Sequence, residues 1–268
     1  MTDAAESFRA LHSGDTPLLL PNPWDVGSAK LLASLGFKAL ATTSSGFAAT
    51  LGRLDGSVTR DEALSHGAAI VQASELPVNA DLENGFADDP DGVGETIRLA
   101  IGAGLAGCSI EDFSGSEDEP IYPLEQAAER VAAAAEAAGG RIVLTARSEN
   151  YLHGRPDLDD TIARLQAFQE AGADVLYAPG LRSIEDIRAV VAAVDRPLNV
   201  LALPVAPPVA ELAAAGVRRI SVGGAFAFAS LGALVAAGRE LLEQGTYGFW
   251  ENAGVGSKAA RKTFADTA

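Results

Sequence analysis

A chain of 268 residues with 48% hydrophobic side chains can bury a sizeable core, as one large α/β barrel or two smaller domains, and is too apolar for disorder. Its formal charge of −16 argues against a nucleic-acid partner and an anionic membrane surface, since both need clustered Lys and Arg. The single cysteine, Cys108, excludes an intramolecular disulfide and fits a reducing cytoplasm.

Residues 1–10 carry acids and no apolar core, so no signal peptide is read there, and no apolar run approaches the ~20 residues of a membrane span. A soluble, cytoplasmic protein without membrane partners is expected. The first strand-like run lies at 17–21. Pro21 and Pro23 follow it where a phosphate-binding fingerprint needs glycines, which disfavours a doubly wound nucleotide-binding sheet. Asp25 caps a helix over 26–35. A second run, 39–43, leads into Thr42-Thr43-Ser44-Ser45-Gly46, read as a hydroxyl-rich turn, and then into a loop with Asp55 near its tip. Thr59 caps a helix over 60–74. Further β-favouring runs at 77–82, 107–112, 141–147, 174–178, 197–202 and 218–222 alternate with helical stretches at 124–138, 158–171 and 184–194. Gly36, Gly104, Gly172 and Gly216 close helices.

Most of these strand-like runs are continuously apolar, the mark of parallel strands buried on both faces. Eight β-α units predict a single-domain (β/α)₈ TIM barrel, whose usual length is about 250 residues. Beyond Leu231 a helix continues through Leu242 to Gly245. Residues from about 233 to 268 read as a docking arm.

Three acidic segments carry the chemistry: Asp81-Leu82-Glu83-Asn84-Gly85, Glu111-Asp112 and Arg147-Ser148-Glu149. Carboxylates at the carboxyl ends of successive barrel strands converge on one rim. Oxygen ligands there suit a hard divalent cation such as Mg²⁺, and Arg147 suits an anionic substrate. Each segment alone is equally good turn chemistry; three consecutive charged strand ends are not explained that way. The Ser44-Ser45-Gly46 turn exposes N–H groups able to cradle a carboxylate. Cys108 lies inside an apolar strand and reads as core. His12, His66 and His153 lack zinc-ligand spacing, and only His153 lies near a charged strand end.

In order along the chain, Pro23-Trp24-Asp25-Val26-Gly27-Ser28-Ala29, Thr43-Ser44-Ser45-Gly46 with Gly52 and Asp55, Asp81-Leu82-Glu83-Asn84-Gly85-Phe86, Ile110-Glu111-Asp112 and Ala146-Arg147-Ser148-Glu149 resemble the isocitrate lyase and phosphoenolpyruvate mutase superfamily. The resemblance implies a (β/α)₈ barrel whose eighth helix is exchanged between subunits of a homodimer or homotetramer. It implies Mg²⁺, with Mn²⁺ as a possible substitute, held directly by Asp81, with Asp55, Glu83 and Glu111 on metal-bound waters. It places Trp24, Ser44, Ser45, Gly46, Arg147 and Asn199 against a small 2-oxo acid or dicarboxylate, and gives Arg147, Glu111 and Asp55 the catalytic roles. The superfamily's lyases carry a cysteine in the loop after the fourth strand. Here that loop, 113–123, has neither cysteine nor lysine, which argues against isocitrate lyase activity as such and weakens phosphonate chemistry.

Such a site suits a lyase. Cleaving a bond next to a 2-oxo group leaves charge on an enolate oxygen, which a Lewis acid stabilises by several kcal/mol. The expected activity is C–C cleavage or decarboxylation of a small 2-oxo acid or related dicarboxylate. Closure of the loop after the fourth strand would place a proton donor, Tyr122 or Glu119. P–C bond hydrolysis or rearrangement and a catalytically idle oxo-acid binder are the alternatives.

Overall fold

A computed structural model describes residues 4–14 and 16–265. In chain order it contains α1 (Ala4–Ala10), β1 (Leu18–Leu20), α2 (Val26–Ser34), β2 (Leu40–Ala41), α3 (Ser44–Thr50), α4 (Arg60–Ser74), β3 (Val78–Asp81), α5 (Pro90–Gly102) and β4 (Gly107–Glu111). The second half adds α6 (Leu124–Ala138), β5 (Val143–Arg147), α7 (Leu158–Glu170), β6 (Val175–Tyr177), α8 (Ile184–Ala193), β7 (Leu198–Leu201), α9 (Val209–Ala214), β8 (Arg219–Ser221), α10 (Ala225–Arg239) and α11 (Trp250–Phe264).

The eight strands are all parallel in the order β1-β8-β7-β6-β5-β4-β3-β2. Between β1 and β2, the Ala41 N–H donates to the Pro21 carbonyl at 3.0 Å and the Asn22 side-chain amide to the Thr42 carbonyl at 2.8 Å. These bonds draw the two edges together into the (β/α)₈ barrel.

Local chemistry sets the helix starts. Asp25 and Thr59 form capping boxes with Ser28 and Glu62, and Asp89, Asp157 and Ser183 cap α5, α7 and α8. Gly36, Gly104, Gly172 and Gly216 adopt positive φ after α2, α5, α7 and α9. One element differs from the sequence expectation. The hydroxyl-rich stretch after β2 is the first turn of α3, with Thr43 as N-cap. Ser, Thr and Gly are poor helix formers, so only the cap and the packing of this turn favour a helix there.

The main core lies between the barrel wall and the helices, around Ile97, Ile110, Leu144 and Phe168. A second cluster of Phe8, Leu18, Leu20, Ala39, Ala41, Val143 and Val175 fills the amino-terminal end of the barrel interior. Phe8 of α1 plugs that end. A Cβ built on Gly107 would come within 2.6 Å of its ring, so only glycine fits there. The interior is therefore sealed below and open only at the carboxyl ends of the strands.

After β8 the chain leaves the barrel. α10 runs into a π-helical turn, Glu240–Gln244, and α11 returns to touch α2, where Thr263 Oγ1 lies 3.2 Å from Ser34 Oγ. The helix over Ala225–Gln244 is 20 residues long with a mean hydropathy of 1.5, so by length and composition it could cross a membrane. This corrects the expectation that no run of that kind exists. Its apolar residues surround the helix instead of forming a stripe. Phe228, Leu234, Val235, Leu242, Trp250 and Val255 are exposed.

Candidate active site

Asp81, Glu111 and Arg147 end β3, β4 and β5. The pairing register sets Glu111 beside Arg147 and Asp81 beside Ser109. Arg147 is the hub. Its Nη1 lies 2.9 Å from Asp81 Oδ1, its Nη2 3.0 Å from Glu111 Oε2 and its Nε 2.8 Å from Glu149 Oε1. Burial alone would lower the Arg147 pKa, but Glu111, Glu149 and Asp81 hold it well above its usual value. Burial pushes the Glu111 carboxyl well up, against the pull of Arg147, and Glu149, Asp81 and Glu83 push it further.

Glu83 lies differently from its sequence placement. Two residues past Asp81, it would share that residue's face if the strand continued. Its φ of +48° turns the chain, and Glu83 faces an adjoining crevice lined by Thr42, Ser44, Phe47 and His66, with Asp81 on the boundary. Burial, with Asp81 and Asp55, pushes its carboxyl up to about 7, against Arg147. Its Oε1 is buried with no hydrogen-bond partner among the described residues. Asp112 points away from the rim, paired with Arg164 at 3.1 Å and accepting the Glu149 N–H at 2.8 Å.

Above the barrel interior lies a cavity of about 180 Å³, bordered by Ser44, Ser45, Asp55, Asp81, Arg147 and Asn199 among others. Five of the expected substrate and metal residues and Arg147 therefore meet around one space. Trp24 and Gly46 do not reach it. A Cβ on Gly46 would come within 2.5 Å of the Thr43 side chain and 3.2 Å of Ala227 and Trp24, so that glycine serves the packing of α3 against α10. Two α3 N–H groups are already engaged: Ser44 donates to Asp81 Oδ2 at 3.2 Å, and Gly46 to Thr43 Oγ1 at 3.4 Å.

The loop after β4 folds as a small hairpin. Phe113 pairs with Ile121, and the Ser114 N–H donates to the Pro120 carbonyl at 2.7 Å. The Phe113 ring stacks on His153 at 3.9 Å, joining this hairpin to the loop after β5. Neither expected proton donor borders the cavity. Tyr122 is buried, donating its hydroxyl to Asp88 at 2.6 Å beneath the Arg130 guanidinium, and Glu119 is on the exposed hairpin.

Several site residues were given no role by the sequence. Glu149, quoted only as part of a motif, completes the Arg147 cluster. Tyr177 and Arg219 line the cavity, and burial pushes the Tyr177 phenol up to about 12. Arg130 donates to the carbonyls of Ala87 (2.6 Å), Asp88 (3.2 Å), Glu111 (3.3 Å) and Asn84, clamping the Glu83 turn to the end of β4. The available signal was a charged residue at an inward position of a strand, or on the apolar stripe of a helix.

No group of three or more His, Cys, Asp or Glu side chains is pre-arranged as a metal cage among the described residues. The donor chemistry still suits a divalent cation. Asp81, Glu111 and Glu149 set against Arg147 alone leave a formal charge of −2. The orphaned Glu83 Oε1 needs a cation or its water.

The barrel with charged strand ends around its mouth defines an enzyme of the TIM-barrel class. The family model for phosphoenolpyruvate phosphomutase matches residues 8–242, and the chain belongs to that family, within the isocitrate lyase/phosphoenolpyruvate mutase superfamily. It is similar to 2-methylisocitrate lyase of Escherichia coli (30% identity, covering 72% of this chain and 68% of the relative). It is also similar to oxaloacetate decarboxylase 2 of Pseudomonas fluorescens (29% identity, 92% and 86%). Among solved structures, a Burkholderia cenocepacia protein provisionally assigned as a lyase/mutase superposes with a TM-score of 0.90 at 53% identity, covering 92% of this chain and 91% of its own. The chain is thus an enzyme of the superfamily's carbon–carbon lyase type.

Proposed function

We propose that this chain is a Mg²⁺-dependent lyase that cleaves a C–C bond, or decarboxylates, a small 2-oxo acid or related dicarboxylate through an enolate, with Mn²⁺ able to replace Mg²⁺. One observation carries this reading. Asp81 and Arg147 border a small cavity, and the Arg147 guanidinium is shared by three carboxylates, Asp81, Glu111 and Glu149, which leaves two negative charges in excess. The similarity to lyases and decarboxylases of small carboxylic acids agrees with it.

Asp81 would hold the cation directly, with Glu83, Glu111 and Asp55 on its waters. Bound there, it supplies Lewis-acid stabilisation of the substrate's keto oxygen. The chain's own groups do the rest. Arg147, freed from part of its carboxylate shell once a cation shares that charge, turns N–H donors toward the anionic oxygens. Ser44 and Ser45 present hydroxyls, and Ser45 its N–H at the start of α3, to the carboxylate. Tyr177, neutral at physiological pH with its phenol pushed up to about 12, can donate a hydrogen bond but not act as a base. Closure of the 113–121 hairpin over the cavity would exclude water.

The exposed apolar face of α10 and α11 fits burial against further copies of the chain, in a homodimer or homotetramer with its eighth helix exchanged between subunits. The lone, buried Cys108 is compatible with the cytoplasmic location we propose.

The test is turnover of oxaloacetate and 2-alkylmalates by EDTA-stripped protein, with and without added Mg²⁺. Turnover should appear only with the metal, and be lost in Asp81→Ala. Equal rates in both conditions refute the metal role. Phosphate release from phosphonopyruvate, with no turnover of these acids, refutes the C–C assignment.

A further inference from the structure

Four guanidinium groups are buried in or against the barrel, and three have their charge met by carboxylates or by several backbone carbonyls. Arg147 meets Asp81, Glu111 and Glu149. Arg164 meets Asp112 and Asp160. Arg130 donates to four backbone carbonyls. Arg219 differs. Only 2% exposed, it donates through Nε to Asn199 Oδ1 and through Nη1 to Thr145 Oγ1, each at 3.0 Å. Both acceptors are neutral. No carboxylate lies within ion-pair distance among the described residues, and Nη2 donates to none of them.

A buried cation without an anion is costly, and large proteins seldom keep one without a use. Packing does not explain it: a neutral side chain could fill this layer of the barrel without the desolvation cost. The Arg219 guanidinium borders the active-site cavity, at its floor. The layer is fixed by the hydrogen bond to Thr145, which lies two residues below Arg147 on β5, about 7 Å down the strand. The cavity thus has one cationic group near its mouth, shared among carboxylates, and a second at its base that has none. The separation suits a short chain with an anionic group at each end.

We propose that Arg219 receives the second, distal carboxylate of the substrate, so that the site selects four-carbon dianions over monoanions of the same length. Asn199 and Thr145 are positioning residues that hold the guanidinium with Nη2 toward the cavity. This rests on the proposed 2-oxo acid site and deepens it.

The test compares two probes that share a chelating 2-hydroxy acid head and differ only at the far end: malate, with a carboxylate, and 2-hydroxybutanoate, with a methyl. Calorimetric titration of the purified protein with Mg²⁺ should show malate binding tighter by about 10- to 100-fold. Arg219→Met should bring that ratio to about one, mainly by weakening malate. Arg219→Lys keeps the charge on a different stem and should retain part of the preference; it also serves if the Met variant fails to fold, as read from thermal melting. A wild-type ratio near one overturns the assignment, as does an equal loss for both probes in a folded variant. If the wild type binds neither probe, the 2-oxo acid reading of the rim falls and this inference with it. Binding of both probes without discrimination overturns Arg219's role alone.

Discussion

Replacing Arg147 by Met tests the organisation of the rim. The change removes the shared cation and leaves Asp81, Glu111 and Glu149 clustered without it; Glu149 is only 2% exposed. Breaking a buried ion pair from one side costs about 3–5 kcal/mol. Three pairs do not triple that figure, because one charge is shared and the carboxyls can take up protons. For a chain of this length the loss corresponds to a fall in Tm of about 6–10 °C. The sign of its pH dependence follows from Glu111. Burial already pushes its carboxyl up, and without Arg147 it loses the group that pulls it down, so the folded form binds more protons. The penalty is then full above the raised value and shrinks as pH falls through it. Thermal melts of metal-stripped wild type and variant at pH 8 and pH 5.5 should therefore show a large gap at the higher pH and a smaller one at the lower. Added Mg²⁺ should narrow the gap at pH 8, since a cation replaces the lost charge. A gap equal at both pH values refutes the account. Arg147→Lys should fall between, because a point charge cannot bridge three carboxylates at once.

Two further outcomes follow from the same geometry. Glu83 has its folded pKa raised from 4.5 to about 7, so in metal-free protein it contributes a penalty that grows as pH rises between those values. Glu83→Gln should remove that part of the slope in urea midpoints measured across pH 4.5–7.5, and an unchanged slope would place the titration elsewhere. At the barrel floor, Gly107→Ala puts a methyl within 2.6 Å of the Phe8 ring and 2.8 Å of Asn79 Oδ1, and overpacking of this kind costs about 1–3 kcal/mol. Chemical denaturation should show that loss, and a Phe8→Leu background should reduce it; additive effects would mean that the two residues do not touch.

How much of this was legible in the sequence depended on whether a residue's role was local. The eight strands were, because continuous apolar runs bounded by turn residues admit few other structures in a βα alternation, and the helix starts at Asp25, Thr59 and Ser183 because a cap acts over three residues. The convergence of Asp81, Glu111 and Arg147 followed from strand-end position alone. Three features were not legible. The turn that sends Glu83 into its crevice rests on a left-handed non-glycine conformation, which no residue type announces. The first turn of α3 lies in a stretch of poor helix formers, so only the Thr43 cap and packing against Trp24 and Ala227 make a helix there. The apolar excess of α10 was hidden by its alanines, which raise hydropathy without forming a stripe.

Arg219 and Arg130 make the sharper case. In sequence, Arg218-Arg219 opens the last β-favouring run, and nothing singles out either residue. Yet Arg218 reaches the Gly14 carbonyl on the exposed side, while Arg219, one residue on, enters the barrel. Strand alternation separates the two, but it does not say which face is the interior; the register against Asn199 on β7 settles that. Arg130 likewise sits on a helix whose apolar stripe would be read as core contact, and its four carbonyl acceptors come from the loop after β3 and the end of β4, both distant in sequence. A charged side chain buried by the fold is costly unless something meets its charge. For Arg130 the protein's own carbonyls do so, for Arg147 its own carboxylates, and Arg219 is left for what enters the cavity.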